Sequence, residues 1–494
     1  MTNNDFDVLV VGAGISGIGA GYHLQQNCPD RSYAILEGRA DMGGTWDLFR
    51  YPGIRSDSDM YTLGYAFRPW REAKAIADGP SILNYVRETA RDYGIDKHIR
   101  FNHHVKRAAW SSADARWTVE VEVGAERTPA IFRCRFLFMC SGYYDYAEGH
   151  RPEWPNEAAF EGRIVHPQFW PQDLDYSGKR VVVIGSGATA VTLVPEMAKD
   201  AAHVTMLQRS PTYVVSRPAE DAVANWLRAR LPAMLAYRLV RWKNVLFGML
   251  FFNLARKRPD KTKARLISMV RDALGPDYDV GKHFTPSYNP WDQRLCLVPD
   301  ADLFESIRSG SASVVTDEID AFVADGIRLK SGETLPADII VTATGLKLQL
   351  LSGVDFSVDG APVNVSKTMS YKGMMYSDVP NLASSFGYTN ASWTLKADLT
   401  CEYVCRLLNH MRDTGTSIAT PHRDPNVEEE PFLDFSSGYV QRAADVLPRQ
   451  GKTKPWKLYQ NYALDLVTLR YGRVDDGTMT FTKPAPTPRE KVAA

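Results

Sequence analysis

Near the amino terminus runs Asp7-Val8-Leu9-Val10-Val11-Gly12-Ala13-Gly14-Ile15-Ser16-Gly17, an apolar run closed by three glycines in the pattern Gly-x-Gly-x-x-Gly. The run reads as a short buried strand, and the glycines as a turn that opens a helix continuing through Tyr22, His23 and Leu24. A second strand is expected over Ser32 to Leu36, ending in Glu37, 25 positions after Gly12. In such a βα unit the glycines supply a tight turn, close approach of backbone to a pyrophosphate and helix-sheet packing, while the helix start carries partial positive charge suited to phosphate. Glu37 would accept hydrogen bonds from a ribose diol. A glycine hexamer alone also occurs in ordinary turns; the strand before this one and the acid after it favour a dinucleotide.

A near copy follows. Arg180 to Ile184 is a β-branched strand, Gly185-Ser186-Gly187-Ala188-Thr189-Ala190 the turn, and Val204 to Leu207 the next strand, ending in Gln208-Arg209. Ala190 replaces the third glycine, and Arg209 stands where the first unit has an acid. An acid would repel a 2′-phosphate and an arginine can bond it, so the first unit reads as an FAD site and the second as an NADP site. The alternative for Arg209 is a solvated surface cation. Phe136 to Cys140 runs into Ser141-Gly142, and Ala337 to Thr342 into Ala343-Thr344-Gly345; both are strand ends followed by glycine, where ligands collect in open α/β sheets. Residues 217–292 are rich in Leu, Arg, Ala and Met at helical spacing. The fold class expected is α/β: two Rossmann-like dinucleotide-binding domains with a helical insertion in the NADP domain. Residues 1–145 and 346–494 are assigned to the FAD-binding part, 146–216 and 293–345 to the NADP-binding part, and 217–292 to the insertion. The tail from Lys483 to Ala494, with Pro484, Pro486 and Pro488 among charges, is expected to be loose.

The composition restricts the function. The 494 residues carry 58 Lys plus Arg and 58 Asp plus Glu, so no bulk charge draws the chain to nucleic acid. With 44% hydrophobic and 23% charged residues the chain reads as folded and soluble. Six scattered cysteines are too few for a disulfide framework, and Asp5 and Asp7 stand where an export signal would be basic. A cytoplasmic chain with reduced thiols is expected.

Two nucleotide folds fit both flavin disulfide reductases and flavin monooxygenases. The stretch Gly43-Gly44-Thr45-Trp46-Asp47-Leu48-Phe49-Arg50-Tyr51-Pro52-Gly53-Ile54-Arg55-Ser56-Asp57 separates them, because Trp46 stands where a disulfide reductase would place a redox cysteine. Cys401 and Cys405, spaced i, i+4, read as helix packing. Phe160-Glu161-Gly162-Arg163-Ile164-Val165-His166-Pro167-Gln168-Phe169-Trp170-Pro171 precedes the second nucleotide strand and matches F-x-G-x-x-x-H-x-x-x-W-P. In this the chain resembles the type I Baeyer-Villiger monooxygenases, and Gly43 to Asp57 matches that family's second pattern, [AG]-G-x-W-x-x-x-x-[FY]-P-[GM]-x-x-x-D. Related heteroatom monooxygenases end the first pattern differently, so Trp170 and Pro171 discriminate. The resemblance covers most of the chain, including Tyr288-Asn289-Pro290-Trp291-Asp292-Gln293-Arg294-Leu295-Cys296, and is greatest to the ethionamide-activating branch, in which Gln293 replaces the lysine of most relatives.

The resemblance implies FAD and NADPH as cofactors. It also implies a reaction in which reduced flavin captures O₂ as a C4a-peroxyflavin that converts ketones to esters or lactones, with thioethers oxidised to sulfoxides. The catalytic residues it implies are Arg294, a cation that cannot lose its proton, and Asp57 beside it. For Asp57 the alternative is a helix cap within Ser56-Asp57-Ser58-Asp59, and both roles could hold together. The implied flavin contacts are Gly12, Gly14, Ser16, Gly17, Glu37, Thr45, Trp46, Asp47, Leu48, Arg55, Ser56, Asp57 and Val105. The implied NADP contacts are Gly185, Ser186, Gly187, Ala188, Thr189, Ala190, Val191, Arg209 and Ser210. His166 is expected to orient backbone rather than move protons, and Trp456 either to approach the nicotinamide ribose or to pack in the core. A heteroatom monooxygenase and a non-catalytic nucleotide sensor are the competing readings.

Val245-Leu246-Phe247-Gly248-Met249-Leu250-Phe251-Phe252 is apolar between basic flanks and too short to span a bilayer. Residues 245–254 could contact a membrane surface or form a buried helix with solvated basic ends.

Overall fold

A computed structural model describes residues 4–293, 295–433 and 435–484. The chain has a mixed α/β fold built on two sheets, each organised around one of the glycine turns. Asp5–Val11 is the first strand, and Val8, Leu9 and Val10 are fully buried because both faces of the strand are covered. Alternate residues point to opposite faces. Val8 and Val10 join a core with the Ile15–Asn27 and Trp393–Thr414 helices, and Leu9 and Val11 join one with Trp110, Trp117 and Val119 from antiparallel strands.

The strand pairs in parallel with Tyr33–Leu36 on one side and with Thr128–Met139 on the other. Ser32, expected within the second strand, precedes it; its hydroxyl, amide and carbonyl bond to Asp7 and Val8. Arg180–Ile184 repeats the arrangement, parallel to His203–Gln208 on one side and to Ile339–Thr342 on the other, within an all-parallel five-stranded sheet. Each glycine turn thus sits at the carboxyl end of a strand whose two neighbours lead away in opposite directions, the place where α/β sheets form a ligand crevice.

The chain passes between the sheets at Tyr144–Gly149 and again at Leu346–Leu348, and these two segments pair antiparallel. The segment read as an insertion leaves after Val214–Arg217 and returns at Cys296–Pro299, two strands that pair in parallel. Its four helices are Ala222–Arg228, Ala233–Lys257, Pro259–Leu274 and Val280–His283. They serve both cores: Ala224, Tyr237 and Val240 pack with the first sheet's helices, whereas Val270, Leu274 and Val280 pack with the second sheet. All six cysteines are buried and none is in a disulfide, with Cys401 and Cys405 inside the Trp393–Thr414 helix. Trp456 is 1% exposed and meets Tyr371 edge-on in the core, so its role is packing and not contact with a nicotinamide. Of the tail expected to be loose, residues 485–494 lie outside the described residues.

Candidate functional site

A cavity of about 670 Å³ runs from the first glycine turn to the second. At one end Gly12 adopts φ +101°, and a Cβ there would lie 2.7 Å from the carbonyl oxygen of Cys140. A Cβ on Gly17 would lie 1.8 Å from the oxygen of Gly12, so this glycine lets the helix start close against the turn rather than facing the cavity. Glu37 is 6% exposed at the end of its strand; Oε2 accepts from the amide of Ala13 at 2.7 Å and Oε1 from the amide of Arg39 at 2.9 Å. Burial pushes its carboxyl above the usual range, against the pull of those two donors.

Gly12, Gly14, Ser16, Glu37, Thr45, Trp46, Arg55, Ser56, Asp57, Val105, Ala188 and Thr189 all line this cavity. Others stand behind it. Asp47 is 3% exposed and holds Arg39 at 2.5 Å, with Arg50 and Arg87 both at 3.3 Å, which fixes the Thr45–Leu48 helix, Leu48 included, against its surroundings. Gly185 has φ +133° and sits against the carbonyl of Ala343, where a Cβ would come within 2.3 Å. Gly187 caps the Ala188–Met197 helix, in which Ala190 and Val191 are fully buried. Ser186 Oγ pairs with Thr212 Oγ1 at 2.8 Å and donates to the carbonyl of Ser210. Arg209 is exposed just past the end of its strand, close enough to Glu318 for mutual attraction.

The Gly43 to Asp57 stretch joins the two turns. The Tyr51 hydroxyl faces Thr189 of the second turn, and burial pushes its phenol up to about 12 despite that partner. Gly53 abuts Glu196, leaving only 2.9 Å for a Cβ. Arg55 bonds Asp302 at 2.5 Å and reaches the carbonyl of Val191 at 3.5 Å. Tyr146 faces Thr45, and burial pushes it up to about 12 as well. Both phenols keep their protons at neutral pH and can donate. Asp57 is exposed at the cavity wall. The helix cap in its neighbourhood is Asp59, whose carboxylate accepts from the Thr62 amide at 3.1 Å, so the capping role falls to the later acid. Arg294 lies outside the described residues.

His166 follows the Arg163–Val165 strand and packs against one end of the paired crossing between the sheets. Its ring lies against Gly149, where a Cβ would be 2.0 Å from Cε1, and its Nδ1 accepts from the Gln168 amide at 3.2 Å. Burial lowers its pKa. Gln168 in turn donates to the carbonyl of Asp145 at 2.8 Å.

Several wall residues carry no signal in the sequence. Trp393 donates its indole N–H to Ser16, and Tyr388 and Leu297 reach the cavity from far along the chain. Tyr143, Tyr144 and Tyr146 follow the Ser141-Gly142 strand end, which does mark a ligand crevice, although nothing in the pattern singles out the rings.

Residues 74–244 match the flavin-binding monooxygenase-like family and residues 10–77 the NAD(P)-binding Rossmann-like domain. The chain is 57% identical over 483 residues to the FAD-containing monooxygenase EthA of Mycobacterium tuberculosis, covering 97% of this chain and 98% of that one. The chain belongs to the flavin-binding monooxygenase family. It is also 49% identical to the probable FAD-binding monooxygenase AlmA of Acinetobacter baylyi, over 98% of both chains. The chain shares its fold with solved structures of monooxygenases. Oxidized steroid monooxygenase bound to NADP superposes with a TM-score of 0.78 at 22% identity, over 97% of this chain and all of that one. An open crystal structure of cyclohexanone monooxygenase gives 0.73 at 19% identity, over 97% of this chain and 100% of the other.

Proposed function

We propose that this flavin monooxygenase holds FAD at the Gly12 to Glu37 end of the cavity and NADPH along the second turn, from Ala188 and Thr189 at the cavity's other end out to Arg209, and uses O₂ to convert ketones to esters or lactones. The observation that carries this reading is that Gly12 and Gly14 of the first turn and Ala188 and Thr189 of the second line one cavity, together with Tyr51, Arg55 and Asp57. The residues fit the first cofactor: Gly12 and Gly14 line the cavity with no side chain, which leaves backbone to meet a pyrophosphate. Glu37 keeps one lone pair on each oxygen beyond its two amide donors, enough to bind a ribose diol.

Bound flavin supplies the redox and oxygen-activating chemistry. The chain supplies the rest. Aromatic rings of Trp46, Tyr143, Tyr146 and Trp393 wall the cavity and limit water. Arg294, through a charge that persists at any physiological pH, stabilises the negative charge developing on the attacked carbonyl oxygen, and Asp57 holds that cation in place. The exposed guanidinium of Arg209 selects the 2′-phosphate.

The experiment is product analysis after supplying NADPH, ¹⁸O₂ and a panel of ketones with a thioether. Labelled ester or lactone is expected, with labelled sulfoxide from the thioether. Sulfoxide with no ester from any ketone would make this a heteroatom monooxygenase, and no NADPH oxidation would overturn the enzymatic reading.

A further inference from the structure

The Ala233–Lys257 helix is turned the reverse way from an ordinary surface helix, with polar anchors inward and an apolar stripe outward. On its inner side the buried Arg241 donates to the carbonyls of Tyr61 at 2.8 Å and Gly64 at 2.7 Å. The Tyr237 hydroxyl donates to the carbonyl of Tyr65 at 3.0 Å, and the Asn244 amide to Asp59 at 2.9 Å. These bonds fix which face looks out. That face carries Leu235, Leu239, Trp242, Leu246, Leu250 and Leu254, at spacings of three and four residues, each between 43% and 63% exposed. The reading of this segment as a buried helix is therefore corrected: Val245 is buried, but its neighbours Leu246 and Phe247 are not. Trp226, 55% exposed on the preceding helix, extends the patch. Continuous exposed apolar area of this extent marks an interaction surface.

Charge identifies the partner. From Ala222 to Pro259 the sequence has eight Arg and Lys and no Asp or Glu; Arg241 turns inward and Lys243 and Arg256 pair with Asp221 and Asp292, while Arg230, Arg238, Lys257 and Arg258 are exposed. Arg238 is exposed on the helix between Leu235 and Trp242, and the guanidiniums of Arg217 and Arg230 lie over the rings of Phe247 and Trp226. A second copy meeting this face through a two-fold axis would bring like charge against like. A layer of anionic headgroups over an apolar interior matches both the stripe and its basic rim. Among the described residues no helix is long and apolar enough to cross a membrane, and the inner face of this one is committed to the protein, so it can only lie flat.

We propose that this face docks on an anionic bilayer surface. The inner side of the same helix, through Val245 and Met249, packs on Tyr388, which lines the cavity. Docking therefore places the cavity one helix away from the lipid.

The test is cosedimentation of the full chain with phosphatidylcholine vesicles with and without phosphatidylglycerol, at low and high salt. Binding at least about tenfold tighter to the anionic vesicles and weakened by salt is expected. The double substitution Leu246→Asp with Leu250→Asp should weaken it by about tenfold or more, and Arg238→Glu should weaken it without touching the apolar stripe. No pelleting of the unaltered chain with anionic vesicles at low salt overturns the proposal. So does a lipid-free dimer in sedimentation velocity that the double variant dissolves, which would assign the face to a second copy. The readout is binding and not turnover, so it stands whatever reaction the cavity performs.

Discussion

The indole N–H of Trp393 donates to the hydroxyl of Ser16 at 2.7 Å, joining the starts of two helices 377 residues apart in the chain. The same indole stacks on Tyr143, with ring centroids 5.2 Å apart and planes 11° from parallel. Trp393→Phe keeps a ring and loses the donor. Such a bond is worth about 1 kcal/mol, so FAD should bind about fivefold more weakly with the fold intact. Flavin retention on ultrafiltration measures this; an unchanged affinity would mean that the bond does not shape the flavin wall.

Glu37 gives a pH prediction. Burial raises its folded pKa above the unfolded value, so the folded chain holds this proton more tightly. Its contribution to stability is then fully present below the ordinary glutamate pKa and is lost as pH rises through the raised folded value. In the apoprotein Glu37→Gln should remove that loss, so the difference in Tm between variant and parent should grow in the variant's favour as pH rises from acid toward neutral. FAD affinity should fall by about tenfold, since a charge-assisted bond to the ribose weakens. A Tm difference independent of pH would show that the buried carboxylate costs the fold nothing.

Arg209 is set to discriminate between the nicotinamide cofactors. With Arg209→Ala the KM for NADPH should rise by about thirtyfold or more, corresponding to about 2 kcal/mol, while that for NADH changes little. Steady-state kinetics with both reductants decide it, and an unaltered preference would return Arg209 to the status of a solvated cation.

Arg294→Ala should leave anaerobic flavin reduction by NADPH near the parent rate and abolish ester formation. Stopped-flow absorbance follows the first and mass spectrometry the second. Ester formation surviving in the variant removes Arg294 from the oxygenation step.

Gly149→Ala places a methyl in the His166 ring. Overpacking of this kind costs about 1–3 kcal/mol, so Tm should fall by about 1–3 °C in a chain of this length. The companion change His166→Ala makes room for the methyl, and the double variant should recover part of the loss. Additive losses would mean that the ring and the glycine do not meet.

The strands and turns around Gly12 and Gly185 were legible because local pattern sets them: an apolar run, glycines at fixed spacing, and a helix start. The Gly43 to Asp57 pattern was legible as a motif, but its structural reason was not. Tyr51, Gly53 and Arg55 owe their positions to Thr189, Glu196 and Asp302, and contacts at such separations leave no mark in local spacing. The same holds for Trp393 and Tyr388 in the cavity wall. The helix over residues 233–257 shows the limit most plainly. Its periodicity is that of a buried stripe, and only the anchors Arg241, Tyr237 and Asn244 reveal that the stripe faces outward.

The two crossings between the sheets, Tyr144–Gly149 and Leu346–Leu348, are bonded to each other rather than running as separate tethers. Lys347 adds ion pairs to Glu148 and Asp145 on the opposite leg. With its legs bonded to each other, the strip resists sliding of one leg past the other and yields more readily to a twist of the whole. A change in the separation of the two glycine turns is then a rotation about this strip, with the His166 ring packed against its Gly149 end.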